Sequence, residues 1–167
     1  MRIAVVVGNP KANSRTLGVA NAVAAAVEVI LGAPAERLTV DLADFAPEMF
    51  DWASTSLGEL TAQVASSDLV IFASPTYKAT YTGLLKAFLD RYGNDGLAGT
   101  VAIPVMTGAA PLHALAPEVH LRPLLVELGA SVPTRALYVT EDQLDRLDDT
   151  VGAWAVSARP VLARALA

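Results

Sequence analysis

Residues 68–90 read "DLVIFASPTYKATYTGLLKAFLD". The opening run, 68–73, is apolar without alternation, as in a strand covered on both faces of its sheet. From Gly83 to residue 91 the pattern changes, and Leu84, Leu85, Phe88 and Leu89 share one face of a helix. Between the two stand Ser74, Pro75, Thr76, Tyr77, Lys78, Thr80, Tyr81 and Thr82, nearly all polar or aromatic. A plain connector is shorter and blander. This one has the character of a loop that holds something flat and polar.

The same alternation extends in both directions. Residues 2–7, "RIAVVV", read as a second buried strand, and "GNPKANSRT" after it is a loop by its punctuation. Residues 16–31 read as a helix, with Asn13 or Ser14 as N-cap and Gly32 at its C-terminal end. A shorter strand at 36–42, an irregular acidic-aromatic loop at 43–56 and an amphipathic helix at 57–67 lead into the opening stretch. After it come a third apolar strand at 99–108, a helix at 112–128 with Pro117 and Pro123 inside, a strand at 131–139 and a helix at 141–166. Strand and helix thus alternate five times over residues 1–167, with no repeat and no linker. The expected fold is α/β: one doubly wound domain with a parallel sheet and helices on both faces. Ligands of such sheets bind beyond the carboxyl ends of the strands, where strand order reverses. The loops at 8–16, 74–82 and 107–113 are therefore the expected site.

Composition excludes several classes of function. Of the 167 residues, 53% are hydrophobic and 17% charged, which rules out a disordered chain. No apolar stretch reaches the roughly 18 residues of a membrane span. "LGVANAVAAAVEVILG" is short and interrupted by Asn21 and Glu28. The N-terminal run lacks the features of a signal peptide, so the expected location is the cytoplasm. Cysteine is absent, which removes disulfides, iron–sulfur clusters, zinc–thiolate sites and cysteine nucleophiles. The formal net charge of −5 leaves no basic footprint for nucleic acid. So much apolar residue in a small chain implies surface buried between subunits.

Within the first loop, Asn9, Asn13, Ser14 and Thr16 are polar, and Lys11 and Arg15 add cations to an acidic chain. Placed at a helix N-terminus, these groups suit a phosphate, or else form an ordinary capped turn. Neither G-x-G-x-x-G nor the Walker pattern is present, so a terminal phosphate fits better than a pyrophosphate. In the second loop Pro75 fixes the backbone and lacks a donor. The N–H groups around Thr76 to Lys78 are then free to face the rim of a planar heterocycle, with Tyr77 and Tyr81 as its wall or as packing groups. The third loop, "TGAAPLH", places small residues where a ring needs close approach. His113 either reaches the ring's edge or caps a helix, and His120 is expected to pack. A phosphate at one loop and a planar ring at two others describe flavin mononucleotide (FMN).

"GNPKANSRT", "SPTYKATYTGLLKAFLD" and "TGAAPLHALAPEVHLRPLL" together resemble the NAD(P)H-dependent FMN reductases of the flavodoxin-like superfamily. The resemblance covers nearly the whole chain, and its closest likeness is to the reductases that feed sulfonate monooxygenases. It implies a flavodoxin-like five-stranded sheet of order 2-1-3-4-5. It implies that Ser14, Arg15 and Thr16 bind the FMN phosphate, with Asn9 and Lys11 in the same loop. It also implies that Pro75, Thr76, Tyr77 and Lys78 line the isoalloxazine, flanked by Thr107 and Gly108. A homodimer or homotetramer through residues 83–91 and 112–128 follows by the same likeness, as does a flavin-dependent monooxygenase partner. The sulfonate-type enzymes carry a π-bulge in the fourth helix, often marked by a tyrosine. Here "PEVHLRP" has Val119 and His120 instead. Pro123 nevertheless removes the hydrogen bond to the carbonyl of residue 119, so irregularity is expected there.

The expected reaction is hydride transfer from NADPH or NADH to the flavin N5, with no side chain required as acid or base. Two alternatives stand beside it. One keeps FMN bound and reduces a quinone, azo dye or metal oxyanion. The other, of a different class, is a flavodoxin-like electron carrier or flavin sensor. Loop one lacks the Thr-Gly of flavodoxins, which disfavours the carrier. No G-x-S-x-G elbow follows any strand, which disfavours a hydrolase.

Overall fold

The computed structural model describes residues 1–167. Five strands form one sheet: β1 (Arg2–Val7), β2 (Glu36–Asp41), β3 (Leu69–Pro75), β4 (Val101–Gly108) and β5 (Leu137–Thr140). Their order is β2-β1-β3-β4-β5, and every neighbouring pair is parallel. Parallel strands need crossovers, which the helices supply. These are α1 (Arg15–Leu31), α2 (Thr55–Ala65), α3 (Gly83–Leu89), α4 (Arg122–Glu127) and α5 (Leu147–Ala165).

The unbroken apolar runs have the expected cause: β1, β3 and β4 bury both faces, while the edge strand β2 is largely exposed. Ile3, Val5, Val7, Leu69, Ile71, Ala73, Ile103 and Val105 point to one side and meet Val19, Val23 and Val27 of α1 and Trp154 and Leu162 of α5. Ala4, Val6, Val70, Phe72, Ala102 and Met106 point to the other. There they meet Leu57 and Val64 of α2, Leu85 and Phe88 of α3, and Leu121 and Leu125. Ser14 caps α1 by accepting from the Leu17 N–H, and Gly32 closes the helix in the left-handed region (φ 70°).

The long helix expected at 112–128 is three pieces. Residues 111–113 form a 3₁₀ turn, Pro117–Leu121 a π-helix and Arg122–Glu127 the α-helix. The π segment forms without a tyrosine. An α-helical path would drive the Pro123 ring into the Val119 carbonyl. The widened turn avoids this, and the Arg122 N–H donates instead to the Pro117 carbonyl. His120 is exposed on this turn rather than packed.

Three other expected boundaries move. The strand foreseen at 131–139 pairs as a strand only from Leu137, preceded by a single bridge between Ser131 and Val101. Pro133 cannot donate to a ladder, and the carbonyls of Val132 and Thr134 are taken by the Arg122 guanidinium. Residues 42–48, read as the end of a strand and the start of the 43–56 loop, form a 3₁₀ helix capped by Asp41. The last helix begins at Leu147. Glu141–Arg146 before it are 3₁₀, started by a reciprocal cap in which the Thr140 N–H donates to Gln143 Oε1 at 2.9 Å.

Candidate active site

The chain runs outward from β1 to β2, then returns across β1 to β3. The reversal lies between the carboxyl ends of β1 and β3, where Val7 pairs with Ala73. A cleft of about 510 Å³ opens there. Only four of its 16 lining residues are hydrophobic, so it suits a ligand with a polar or charged end.

Loop one forms one wall. Gly8 has a geometric reason to be glycine: a Cβ there would stand 2.4 Å from Leu85 Cβ. The close approach joins loop one to α3, and the Thr82 hydroxyl fastens it by donating to the Gly8 carbonyl. The Asn9 side chain folds the next turn. Its Oδ1 accepts from the Lys11 N–H at 2.9 Å and its Nδ2 donates to Thr16 Oγ1 at 3.2 Å. Asn13 adopts φ 52°, and its N–H donates to Asp41 Oδ2 at 2.9 Å. Helix α1 then starts at Arg15, and Ser14, Arg15 and Thr16 at its N-terminal end line the cleft, a position that favours an anion.

Loop two is a tight hairpin. Tyr77 and Thr80 exchange backbone hydrogen bonds of 2.9 and 3.2 Å, and the two residues between them, Lys78 and Ala79, have φ of 51° and 68°. This is a mirror-image turn, normally built from Gly or Asn. Below it, fully buried Ser74 accepts from the Thr82 N–H at 3.0 Å. Loop three begins at Thr107, whose hydroxyl lies 2.9 Å from Thr16 Oγ1, so loops one and three are joined side chain to side chain. At Gly108 a Cβ would sit 1.9 Å from the Tyr138 hydroxyl. Tyr138 is held there by donating to the Ala110 carbonyl at 3.1 Å.

Ten of the expected site residues line the cleft: Asn9, Lys11, Ser14, Arg15, Thr16, Pro75, Thr76, Tyr77, Thr107 and Gly108. Three do not. Lys78 lies at the exposed hairpin tip, carried outward by the mirror-image turn. Tyr81 turns toward the core beneath α2 and α3. His113 ends the 3₁₀ turn beyond the cleft. Reading three loops from the three most buried strands left out a fourth. Val139, Thr140, Glu141 and Leu144, from the end of β5 and the turn after it, complete the wall. The usable signal was the polar Thr140–Glu141 pair directly after an apolar strand end.

One buried polar atom on this wall has no partner: Thr76 Oγ1. A lone buried hydroxyl costs about 1–3 kcal/mol. It lies beside Gly108, where the Tyr138 hydroxyl fills the place a Cβ would take. With the anion-favouring end of α1 across the cleft, the residues fit a molecule with a phosphate at one end and a flat polar ring at the other. The Arg15 guanidinium meets the Glu141 carboxylate at 2.6 Å across the loop-one end of the cleft.

Strand order 2-1-3-4-5 with a cleft at the β1/β3 reversal defines a flavodoxin-like fold, in which flavodoxin itself takes FMN at this position. Comparison with known proteins narrows this. Residues 1–144 match the family described as NADPH-dependent FMN reductase, and the chain belongs to that family. It is 33% identical over 147 residues to the FMN reductase (NADPH) of Escherichia coli K12, covering 86% of this chain and 75% of the relative. It is 29% identical over 151 residues to the NADH-dependent FMN reductase SfnF of Pseudomonas putida, covering 87% of this chain and 81% of the relative. Among solved structures it is similar to the apo form of the NADH:FMN oxidoreductase EMOB. The TM-score is 0.76 with 30% identity, over 93% of this chain and 89% of that one. The chain is accordingly an oxidoreductase, an NAD(P)H-dependent FMN reductase. No helix is long and apolar enough to cross a membrane.

Proposed function

We propose that FMN lies along the cleft with its phosphate at residues 9–16 and its ring over Pro75, Thr76, Tyr77, Thr107 and Gly108. The observation that carries this placement is a single cleft that gathers Ser14, Arg15 and Thr16 at the start of α1 with Pro75, Thr76, Thr107 and Gly108 of the other two loops. Bound FMN supplies the redox chemistry, taking a hydride at N5 from the nicotinamide of NADPH or NADH. The chain's own residues bind and orient. Ser14, Thr16 and the first N–H groups of α1 hold the phosphate, with Lys11 and Arg15 balancing its charge. Loops two and three meet the polar edge of the ring through groups other than the Thr76 and Tyr77 N–H, which were expected to be free but donate to the Thr107 and Thr80 carbonyls at 2.7 and 2.9 Å. Tyr77, half exposed, borders the open face on which the nicotinamide stacks.

The open cleft supports a flavin that is exchanged rather than locked in, so reduced FMN is passed to a flavin-dependent monooxygenase. Exposed Leu112, Leu115, Val119 and Val126 form an apolar strip along residues 112–126. We assign this strip to a contact between copies of the chain. The enzyme works in the cytoplasm as one domain spanning 1–167.

The test is an anaerobic titration of purified protein with FMN, then with NADPH or NADH, following the visible flavin band. Saturable binding and bleaching by the nucleotide are expected. Binding without bleaching would leave an electron carrier or sensor in front. Absence of binding would overturn the placement.

A further inference from the structure

The cleft's cationic end carries its own competitor. Lys11, Arg15 and Glu141 are the charged side chains that line it. Arg15 Nη2 donates to Glu141 Oε1 at 2.6 Å, and both side chains are at least half exposed. Glu141 starts the 3₁₀ turn after β5 and is anchored by the Thr140–Gln143 cap. The cap thus fixes the Glu141 backbone at the cleft, and the Arg15 contact places its carboxylate. A second carboxylate, Asp41, already occupies the Asn13 N–H on the other side of the loop.

On the reading that loop one takes the FMN phosphate, we propose that Glu141 is a positioning residue that sets flavin affinity. It occupies a donor of Arg15 and faces the incoming phosphate with like charge. A phosphate monoester carries about −1.5 to −2 charge at neutral pH. Two cations and one carboxylate meet it where two cations alone would bind more tightly. Arg15 has five N–H donors, so the phosphate shares or displaces the carboxylate and is not excluded. The consequence is a flavin held loosely enough to leave after reduction, as a diffusing substrate must. The occupied donor is also regained when flavin departs, so the free site keeps no unpaired guanidinium.

Glu141→Gln keeps the shape and removes the charge, at an exposed position where folding is not at risk. FMN and riboflavin differ in the phosphate alone, which isolates this end of the cleft. The experiment is a fluorescence titration of wild type and variant with both flavins, at low and high salt. The variant is expected to bind FMN about three- to fivefold more tightly, the scale of an exposed ion pair. Riboflavin affinity should stay within about twofold on the same scale. The gain in FMN affinity should shrink with added salt. Equal tightening for both flavins, or no change, would overturn the proposal. Weaker FMN binding would also overturn it, because Glu141 would then be holding Arg15 in place for the phosphate. If wild type binds the two flavins alike, the phosphate is not held at loop one, and the placement of FMN falls along with the proposal.

Discussion

Thr76 concentrates the tension between stability and binding in one atom. Its hydroxyl is buried without a partner, so it lowers the stability of the free protein. Thr76→Val replaces that hydroxyl by a methyl of similar size. The variant is expected to be more stable by about 1 kcal/mol in denaturant unfolding, while FMN binds more weakly in fluorescence titration. A loss of stability would mean that the hydroxyl has a partner in the free protein. The residue types at this site were legible beforehand because Ser, Thr and Pro after a buried strand are unusual. Which of them reach the cleft was not legible. Lys78, Tyr81 and His113 have suitable chemistry, yet the backbone carries them away from it.

Two elements carry backbone that the residues would not choose alone. The first is the hairpin at Lys78–Ala79, where both residues are left-handed without being glycine. Such a conformation costs an L-residue about 1–2 kcal/mol. Ala79→Gly is expected to raise stability by up to about 1 kcal/mol, glycine's extra entropy offsetting part of the relief. It should also loosen the loop and weaken FMN binding, measured by the same two methods. Destabilisation would show that the turn is unstrained.

The second element is the π segment, pinned by an ion pair. Arg122 Nη2 lies 3.2 Å from Glu118 Oε1, and the Ala136 N–H donates to that same oxygen at 2.7 Å. The hydrogen bond from Arg122 holds the Glu118 carboxyl below the usual carboxylate range, opposed by burial and aided by the Ala136 N–H. A lowered folded-state pKa means that the unfolded chain binds more protons in acid, so stability rises with pH there. The contribution is full above the ordinary Glu value of about 4.3 and is lost as pH falls through the lower folded value. Glu118→Gln is expected to flatten the stability-versus-pH curve in this acid range. An unchanged slope would remove the ion pair from the account. Proline spacing at 117 and 123 made irregularity foreseeable here. The anchoring by Glu118 and Arg122 was not, because it depends on residues 132–136 folding back beside them.

For the whole molecule, the apolar excess of the composition and the exposed strip at Leu112, Leu115, Val119 and Val126 point the same way. Leu115→Glu is expected to shift the protein to a lighter species in sedimentation velocity, with its thermal midpoint nearly unchanged. An unchanged assembly would place the contact elsewhere. If a neighbouring subunit completes the nicotinamide site, the same variant should lose reductase activity while still binding FMN.

The amino-acid sequence by itself determined the order of the elements, the burial of β1, β3 and β4, and the placing of the loops at 8–16, 74–82 and 107–113 at one edge. These follow from patterns a few residues long: unbroken apolar runs, helical spacing, and Ser, Gly and Pro at the boundaries. Only the tertiary structure decided what meets across the cleft. Arg15 and Glu141 are 126 positions apart, and Thr16 and Thr107 are 91 apart. The fourth wall, from β5, joins the site because parallel strands bring all their carboxyl ends to the same edge. No local pattern encodes such pairs. They exist because the crossovers stack distant strands in register, which brings side chains from opposite ends of the chain within hydrogen-bonding distance.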